Sequence, residues 1–176
     1  MKFLRLRRAA LCGAALFILA SCGEPSPVGV EPRVPAPNRD LLGDSLALPG
    51  LLTCTPLAYD STTQVVGFWG GIISVGPHVL VIPFGALSSP TTITAVVRPD
   101  SVDAVHFEPQ GLQFSRPAYL LMNYANCNLL GLLTPRQIAY TSDSLDVLEI
   151  EQSWDNPSTL IVTGQIRHFS EYAVAW

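Results

Sequence analysis

Short apolar runs alternate with turn-forming residues along the chain from Leu51 to Trp176. The clearest case lies between Gly70 and Leu87, where Gly76-Pro77 separates two apolar runs and Pro83 ends the second. Glycine reaches positive φ without a Cβ penalty, and proline fixes φ and removes a donor. This stretch therefore predicts a β-hairpin followed by a tight turn.

The same pattern predicts strands throughout this segment, in runs rich in Val, Ile, Thr, Tyr and Phe and bounded by Gly, Pro, Asn and Asp. No window longer than a turn or two has helical periodicity. Short strands at near-regular spacing predict one all-β domain, an antiparallel β-sandwich. The predicted strands are Thr53–Tyr59, Gln64–Phe68, Gly71–Val75, His78–Ile82, Thr91–Arg98, Ala104–Glu108, Leu112–Phe114, Ala118–Tyr124, Gln137–Thr141, Asp146–Gln152, Thr159–Arg167 and Ser170–Ala175.

Residues 1–21 predict a lipoprotein signal peptide, because basic residues precede an apolar segment, Ala9–Ala20, that is short for a transmembrane helix. The sequence Leu19-Ala20-Ser21-Cys22 resembles the bacterial lipobox. The resemblance implies cleavage before Cys22, acylation of its sulfur and amino group, and attachment to the membrane. Gly23, in place of aspartate, favours the outer membrane of the cell envelope. The alternative is an ordinary secreted protein with a cysteine near its cleavage site.

Residues 22–50 are rich in proline and contain no aromatic residue. Such a segment buries too little apolar surface to offset the entropy of ordering, so it predicts a flexible, disordered tether. The folded domain is then expected to span residues 51–176.

Removal of residues 1–21 would leave six arginines, no lysine and fourteen acidic residues, a formal net charge of −8. Nucleic-acid-binding proteins concentrate lysine and arginine on one face, so nucleic acid is not an expected partner. A net negative surface suits a soluble module tethered to a membrane.

Of the four cysteines, Cys12 lies in the signal peptide and Cys22 is the expected lipidation site, which leaves Cys54 and Cys127. In an oxidising compartment, two remaining cysteines are expected to form a disulfide. The alternatives are free buried thiols or a redox pair, although there is no Cys-x-x-Cys motif to lower a thiol pKa.

Three segments after the Gly70-Gly71 pair occur in a familiar order: Ile82–Leu87, Phe107–Pro117 and His168–Val174. Together they resemble the ZU-five domain, a β-sandwich found in ankyrins, netrin receptors and death-domain scaffolds. The resemblance implies a domain that binds protein partners or packs on neighbouring domains and does not catalyse reactions on other molecules. We therefore expect the domain to bind another protein, whose identity the sequence does not give, and to hold no cofactor.

The tripeptide His168-Phe169-Ser170 resembles the cleavage site of self-cleaving members of this family. By that resemblance, His168 would act as general base on the Ser170 hydroxyl, which would attack the Phe169 carbonyl carbon. The N-to-O acyl shift would give an ester that water opens. This reaction needs a strained peptide, a neutral imidazole and an oxyanion donor. The alternative is a structural turn with Phe169 in the core.

Other patterns favour structural roles. Ser74 lacks the first glycine of a nucleophile elbow. The three histidines, His78, His106 and His168, lie in apolar or turn contexts and predict no metal site. The acidic residues between Asp143 and Asp155 lack the spacing of a calcium loop, and no paired carboxylates indicate glycan hydrolysis. Three aromatic residues suit packing better than a carbohydrate or peptide groove: Trp69, Tyr124 and Trp154.

Overall fold

The computed structural model describes residues 50–130 and 133–176. The predicted signal peptide, the lipidation site Cys22 and the tether up to residue 49 lie outside the described residues. Within the two described ranges, no helix is long and apolar enough to cross a membrane.

The described residues form eleven strands in two antiparallel sheets, which confirms the all-β sandwich. The six-stranded sheet has the order β1-β4-β5-β11-β7-β8, and the five-stranded sheet has the order β2-β3-β6-β10-β9. The strands are β1 Asp60–Val66, β2 Gly71–Val75, β3 His78–Ile82, β4 Thr91–Val97, β5 Ala104–Glu108, β6 Gln113–Asn123, β7 Gln137–Thr141, β8 Val147–Ile150, β9 Ser153–Asn156, β10 Ile161–His168 and β11 Glu171–Ala175.

The hydrophobic core lies between the sheets, where alternate residues of each strand point inward. Leu80 of β3 lies opposite Leu120 of β6, which in turn lies opposite Gly164 of β10. A Cβ at Gly164 would lie 2.9 Å from Cδ1 of Ile138 in the other sheet. The two sheets therefore meet so closely here that only glycine fits.

The predicted hairpin is confirmed as β2 and β3, which pair from Gly71 opposite Ile82 to Val75 opposite His78. Gly76 has φ 52° at the first position of the two-residue turn. Gly70 has φ 75°, and a Cβ there would overlap the carbonyl oxygen of Ile82. Glycine is thus required at residue 70 by both conformation and space.

Gly70→Ala is expected to lower the free energy of unfolding by roughly 2 to 3 kcal/mol, because a left-handed backbone and a steric overlap both oppose the methyl group. The matched control is Gly71→Ala, whose Cβ would meet only side-chain atoms of Val66 and Gln64 at 3.3 Å or more. Urea denaturation of both variants measures the difference. Equal losses would contradict the assigned role of Gly70.

The predicted strands differ from the structure in three regions. Thr53–Tyr59 forms no strand, and β1 begins at Asp60; the segment before it contributes isolated bridges at Leu51 and Cys54. Since Pro56 has no N–H to donate, a regular ladder is disfavoured there.

The two short strands predicted before and after Pro117 form one strand, β6. Pro117 lies where the register between β6 and β10 shifts. Because Pro117 has no N–H, it would cost a hydrogen bond in a regular β6–β10 pair, but the pairing is irregular at this position. The predicted strand Asp146–Gln152 is wrong in its C-terminal part, because β8 ends at Ile150 and β9 begins at Ser153 in the other sheet.

Candidate functional site

The tripeptide His168-Phe169-Ser170 connects the two sheets, between the end of β10 and the start of β11. The Phe169 side chain is 1% exposed. Its ring stacks on Phe107 at 5.0 Å and meets Phe114 edge-on at 5.0 Å, measured between ring centroids. Phe169 is therefore a core residue, as the structural alternative predicts.

Backbone hydrogen bonds surround the peptide bond between Phe169 and Ser170. The Phe169 carbonyl accepts a hydrogen bond of 2.9 Å from the Gly111 N–H, and the Phe169 N–H donates to the Leu112 carbonyl at 2.9 Å. The Ser170 carbonyl accepts one of 3.0 Å from the Phe107 N–H. An acyl shift would develop negative charge on the Phe169 oxygen, so the Gly111 N–H lies where an oxyanion donor is needed.

The His168 imidazole contacts two tyrosines. Its Nδ1 lies 3.4 Å from the Tyr172 hydroxyl, which donates a hydrogen bond of 2.7 Å to the His168 carbonyl. Its ring meets Tyr140 edge-on at 4.9 Å. Among the hydrogen bonds of the described residues, none joins His168 to the Ser170 hydroxyl, and neither Phe169 nor Ser170 has a positive φ. The arrangement supplies one oxyanion donor but no contact between base and nucleophile.

Cys54 and Cys127 form a disulfide, which confirms the predicted pairing. The bond joins the segment before β1 to the loop after β6. Backbone hydrogen bonds flank it, from the Thr55 N–H to the Asn126 carbonyl at 2.9 Å and from the Asn128 N–H to the Thr53 carbonyl at 2.8 Å. Such bonds are typical of proteins in oxidising, extracytoplasmic compartments.

The outer face of the five-stranded sheet is mostly apolar and carries no charged side chain over two cross-strand rows. The strand registers place nine residues in these rows, six of them apolar or aromatic and three polar without charge. The first row is Ser74, Val79, Leu121, Thr163 and Trp154, and the second is Ile72, Val81, Tyr119 and Gln165. Ile72 is 62% exposed and Trp154 is 48% exposed, so part of this surface faces solvent.

Three aromatic side chains form an exposed cluster at the end of this sheet where β2 begins and β3 ends. The Phe68 ring lies 4.6 Å from Phe84, and the Trp69 ring lies 5.5 Å from Phe84, between centroids. Trp69 is 83% exposed. The Gly85 N–H donates to the Phe68 carbonyl at 2.8 Å, which holds the two turns together. We call the two rows and this cluster the apolar face.

Sequence analysis did not identify the apolar face, although one signal for it is present. The β3 residues His78–Ile82 and the β6 residues Ala118–Met122 are apolar at almost every position instead of at alternate positions. A strand with that pattern is typically covered on both sides. Of the three aromatic residues with a predicted packing role, Tyr124 is buried, whereas Trp69 contacts Phe84 but is largely exposed and Trp154 is half-exposed.

The histidines and the aromatic residues considered from the sequence do not come together in one site. The histidines are on three different strands, and no metal-capable group in the described residues contains two of them. Tyr124 donates a hydrogen bond of 2.7 Å to Asp155, and the cavity that Tyr124 lines does not include Trp69.

Among the acidic residues between Asp143 and Asp155, Glu151 has a raised pKa of about 7, because its carboxyl group is buried and because Glu149 repels its charge.

Comparison with models of known protein families and with curated proteins finds no match for the chain. The ZU-five resemblance therefore stays a prediction that rests on the sequence segments themselves.

The burial of His78 predicts that the free energy of unfolding falls measurably in acid. Its side chain is fully buried, neither ring nitrogen has a hydrogen-bond partner in the described residues, and burial lowers its pKa to about 4. In the unfolded chain a histidine titrates near pH 6.5. The unfolded state therefore takes up the proton first as pH falls, and about 3 kcal/mol of stability should be lost between roughly pH 6.5 and 4.

The measurement compares the free energy of unfolding of the chain and of His78→Leu at pH 7 and pH 4. The free energy of unfolding of the variant is subtracted from that of the chain at each pH, because Glu151, whose pKa is raised to about 7, has the opposite pH dependence in both proteins. The stability that Glu151 contributes is present at low pH and is lost as pH rises through about 7. A difference between chain and variant that does not change with pH would contradict the prediction.

Proposed function

We propose that this chain is a lipid-anchored protein of the bacterial cell envelope whose β-sandwich is a non-catalytic protein-interaction module. The observation that carries the proposal is the apolar face, because soluble domains rarely expose a contiguous apolar patch unless it binds something. Aromatic residues such as Trp69 and Tyr119 are enriched where protein interfaces are buried. The Cys54–Cys127 disulfide supports the compartment, and the predicted acylation of Cys22 would supply the anchor.

The charge of the chain favours a protein as the occupant of this surface. The two rows carry no lysine or arginine, and the chain from Cys22 onward has a formal net charge of −8. Anionic lipid headgroups and nucleic acid would be repelled by that charge. The complementary surface should be apolar and weakly charged.

Photo-crosslinking in the envelope tests the proposal with the full chain. A photoreactive residue at Tyr119 is expected to crosslink one protein species, whereas one at Thr92, exposed on β4 of the other sheet, is not. Leu121→Glu would place a charge at the centre of the apolar face, and Thr92→Glu is the matched control. Only Leu121→Glu should abolish the crosslink and weaken binding of the purified partner by at least about tenfold.

Three outcomes would contradict the proposal. Crosslinks to lipid alone would make the apolar face a membrane contact. Crosslinks to a second copy of the chain would make it a self-association surface. Equal crosslinking from Tyr119 and Thr92 would mean that the surface has no specific occupant.

Self-cleavage between Phe169 and Ser170 is the second candidate, favoured by the hydrogen bond from the Gly111 N–H to the Phe169 carbonyl. His168 would first have to rotate from Tyr172 to the Ser170 hydroxyl. The test is the intact mass of the full chain and of Ser170→Ala under denaturing conditions. A fragment ending at Phe169 that is missing in the variant would establish cleavage. One uncut mass in both would exclude it and leave the first proposal standing.

A further inference from the structure

A polar site lies on the outer face of the six-stranded sheet, whereas the apolar face belongs to the five-stranded sheet. His106 of β5 and Glu171 of β11 are directly opposite in the strand register. Asp143 approaches them from the turn between β7 and β8. One ligand atom from each of the three side chains lies within 4.8 Å of the other two.

These side chains are buried although they belong to an outer face. His106 is 8% exposed and Glu171 is 5% exposed. They line a cavity of about 50 Å³, with Asp143, Arg98, Asp100 and Leu145 among its other walls. A space of this size accommodates one ion and a water molecule.

Two polar atoms in this cavity have no hydrogen-bond partner: Nδ1 of His106 and Oε2 of Glu171. They face each other at 3.6 Å. Nε2 of His106 lies 3.0 Å from Oε1 of Glu108, whose other oxygen accepts the Gln110 N–H at 2.9 Å. An ionised carboxylate only accepts, so the hydrogen between this pair lies on Nε2, and Nδ1 on the other side of the ring points to Glu171.

Two arrangements would satisfy both atoms: a proton on Nδ1, which makes the pair an ion pair, or a metal ion bound between them. The separation suits a metal ion, because two ligands about 2.1 Å from one tetrahedral ion are about 3.4 Å apart. Arg98 lies 3.9 Å from the other oxygen of Glu171, Oε1, and so leaves Oε2 for the cavity. Oδ1 of Asp143 accepts a hydrogen bond of 3.4 Å from Nε2 of Gln110, and one carboxylate oxygen of Asp143 already lies within 4.8 Å of the ligand atoms of His106 and Glu171.

We propose that His106, Asp143 and Glu171 bind one divalent transition-metal ion. Imidazole nitrogen with two carboxylates is a ligand set that suits Zn²⁺ better than Mg²⁺ or Ca²⁺. Glu108 acts as a positioning residue, because a carboxylate on the far nitrogen fixes the tautomer that leaves Nδ1 free for the metal. The sequence alone predicted no metal site, since the ligands come from positions 106, 143 and 171 and share no motif.

The test is calorimetric titration of the full chain with Zn²⁺ after treatment with a chelator. We expect one ion per chain, and at least about tenfold weaker binding in Asp143→Asn and in Glu108→Gln. Glu149→Gln, which removes an exposed carboxylate from neighbouring β8, is the matched control and should bind normally. Asp143 is exposed, so its variant is expected to fold even if a variant of buried His106 does not.

A spectroscopic readout separates a metal ligand from a residue that only shapes the cavity. With Co²⁺ as the probe, visible absorption bands of a four- or five-coordinate ion are expected, and His106→Gln should remove them. No binding at millimolar Zn²⁺ would overturn the proposal and leave His106 and Glu171 as an ion pair. Unchanged affinity in Asp143→Asn would overturn it as well.

Discussion

Phe169→Ala is expected to lower the free energy of unfolding by roughly 3 to 5 kcal/mol, the cost of removing a fully buried aromatic ring. The ring packs between Phe107 and Phe114 at the point where the chain passes from β10 to β11. The loss should exceed a simple transfer energy, because neighbours held by two sheets fill the cavity only in part.

Ser170→Ala is the matched control for that prediction. Ser170 is partly exposed, and its hydroxyl makes no hydrogen bond to the described residues, so we expect a change below about 0.5 kcal/mol. Urea denaturation of both variants, monitored by tryptophan fluorescence, measures the contrast. A loss under about 1 kcal/mol for Phe169→Ala would mean that the tripeptide is not anchored in the core.

The contrast also bears on the choice between a structural and a reactive tripeptide. Ser170→Ala is the variant that would block self-cleavage, so a folded and equally stable Ser170→Ala makes the mass comparison interpretable. The sequence left both interpretations open, because it cannot specify rotamers. Whether His168 faces Ser170 or Tyr172 depends on side chains from β7 and β11 that only the fold brings together.

The sequence predicts the fold best where local chemistry decides the backbone. Glycine at residues 70 and 76 and proline at residues 77 and 83 delimit the β2–β3 hairpin, and the structure has it with the predicted bounds. Prediction fails where tertiary packing decides. The step from β8 to β9 changes sheets after Ile150, and no local signal separates one bent strand from two.

The candidate sites show the same division. The cysteine pair is predictable from composition and compartment. The apolar face has a signal in the continuous apolar runs, but its extent depends on the order of β2, β3, β6, β10 and β9. The proposed metal ligands are brought together by the pairing of β5 with β11, which joins residues 65 positions apart, and by the turn between β7 and β8. No short stretch of sequence specifies either arrangement.

Loss of the Cys54–Cys127 disulfide is expected to lower the free energy of unfolding by roughly 3 to 4 kcal/mol, because the bond closes a long loop in the unfolded chain. The two cysteines are 73 positions apart. The segment from Gly50 to Tyr59 contains no strand and pairs through two isolated bridges, Leu51 with Ala175 of β11 and Cys54 with Cys127. The disulfide is therefore its strongest attachment to the domain, and local protection should fall along with global stability.

Double replacement, Cys54→Ser with Cys127→Ser, and reduction of the native chain should give the same loss, while reductant should not affect the double variant. The unfolded chain without the cross-link exposes more surface, so the urea m-value should rise as stability falls. Hydrogen exchange should quicken first at the Leu52 and Cys54 amides, which donate to Val174 and Ser101 at 3.0 and 2.7 Å. Native stability that reductant leaves unchanged would show that hydrogen bonds and the burial of Leu52 hold this segment without the disulfide.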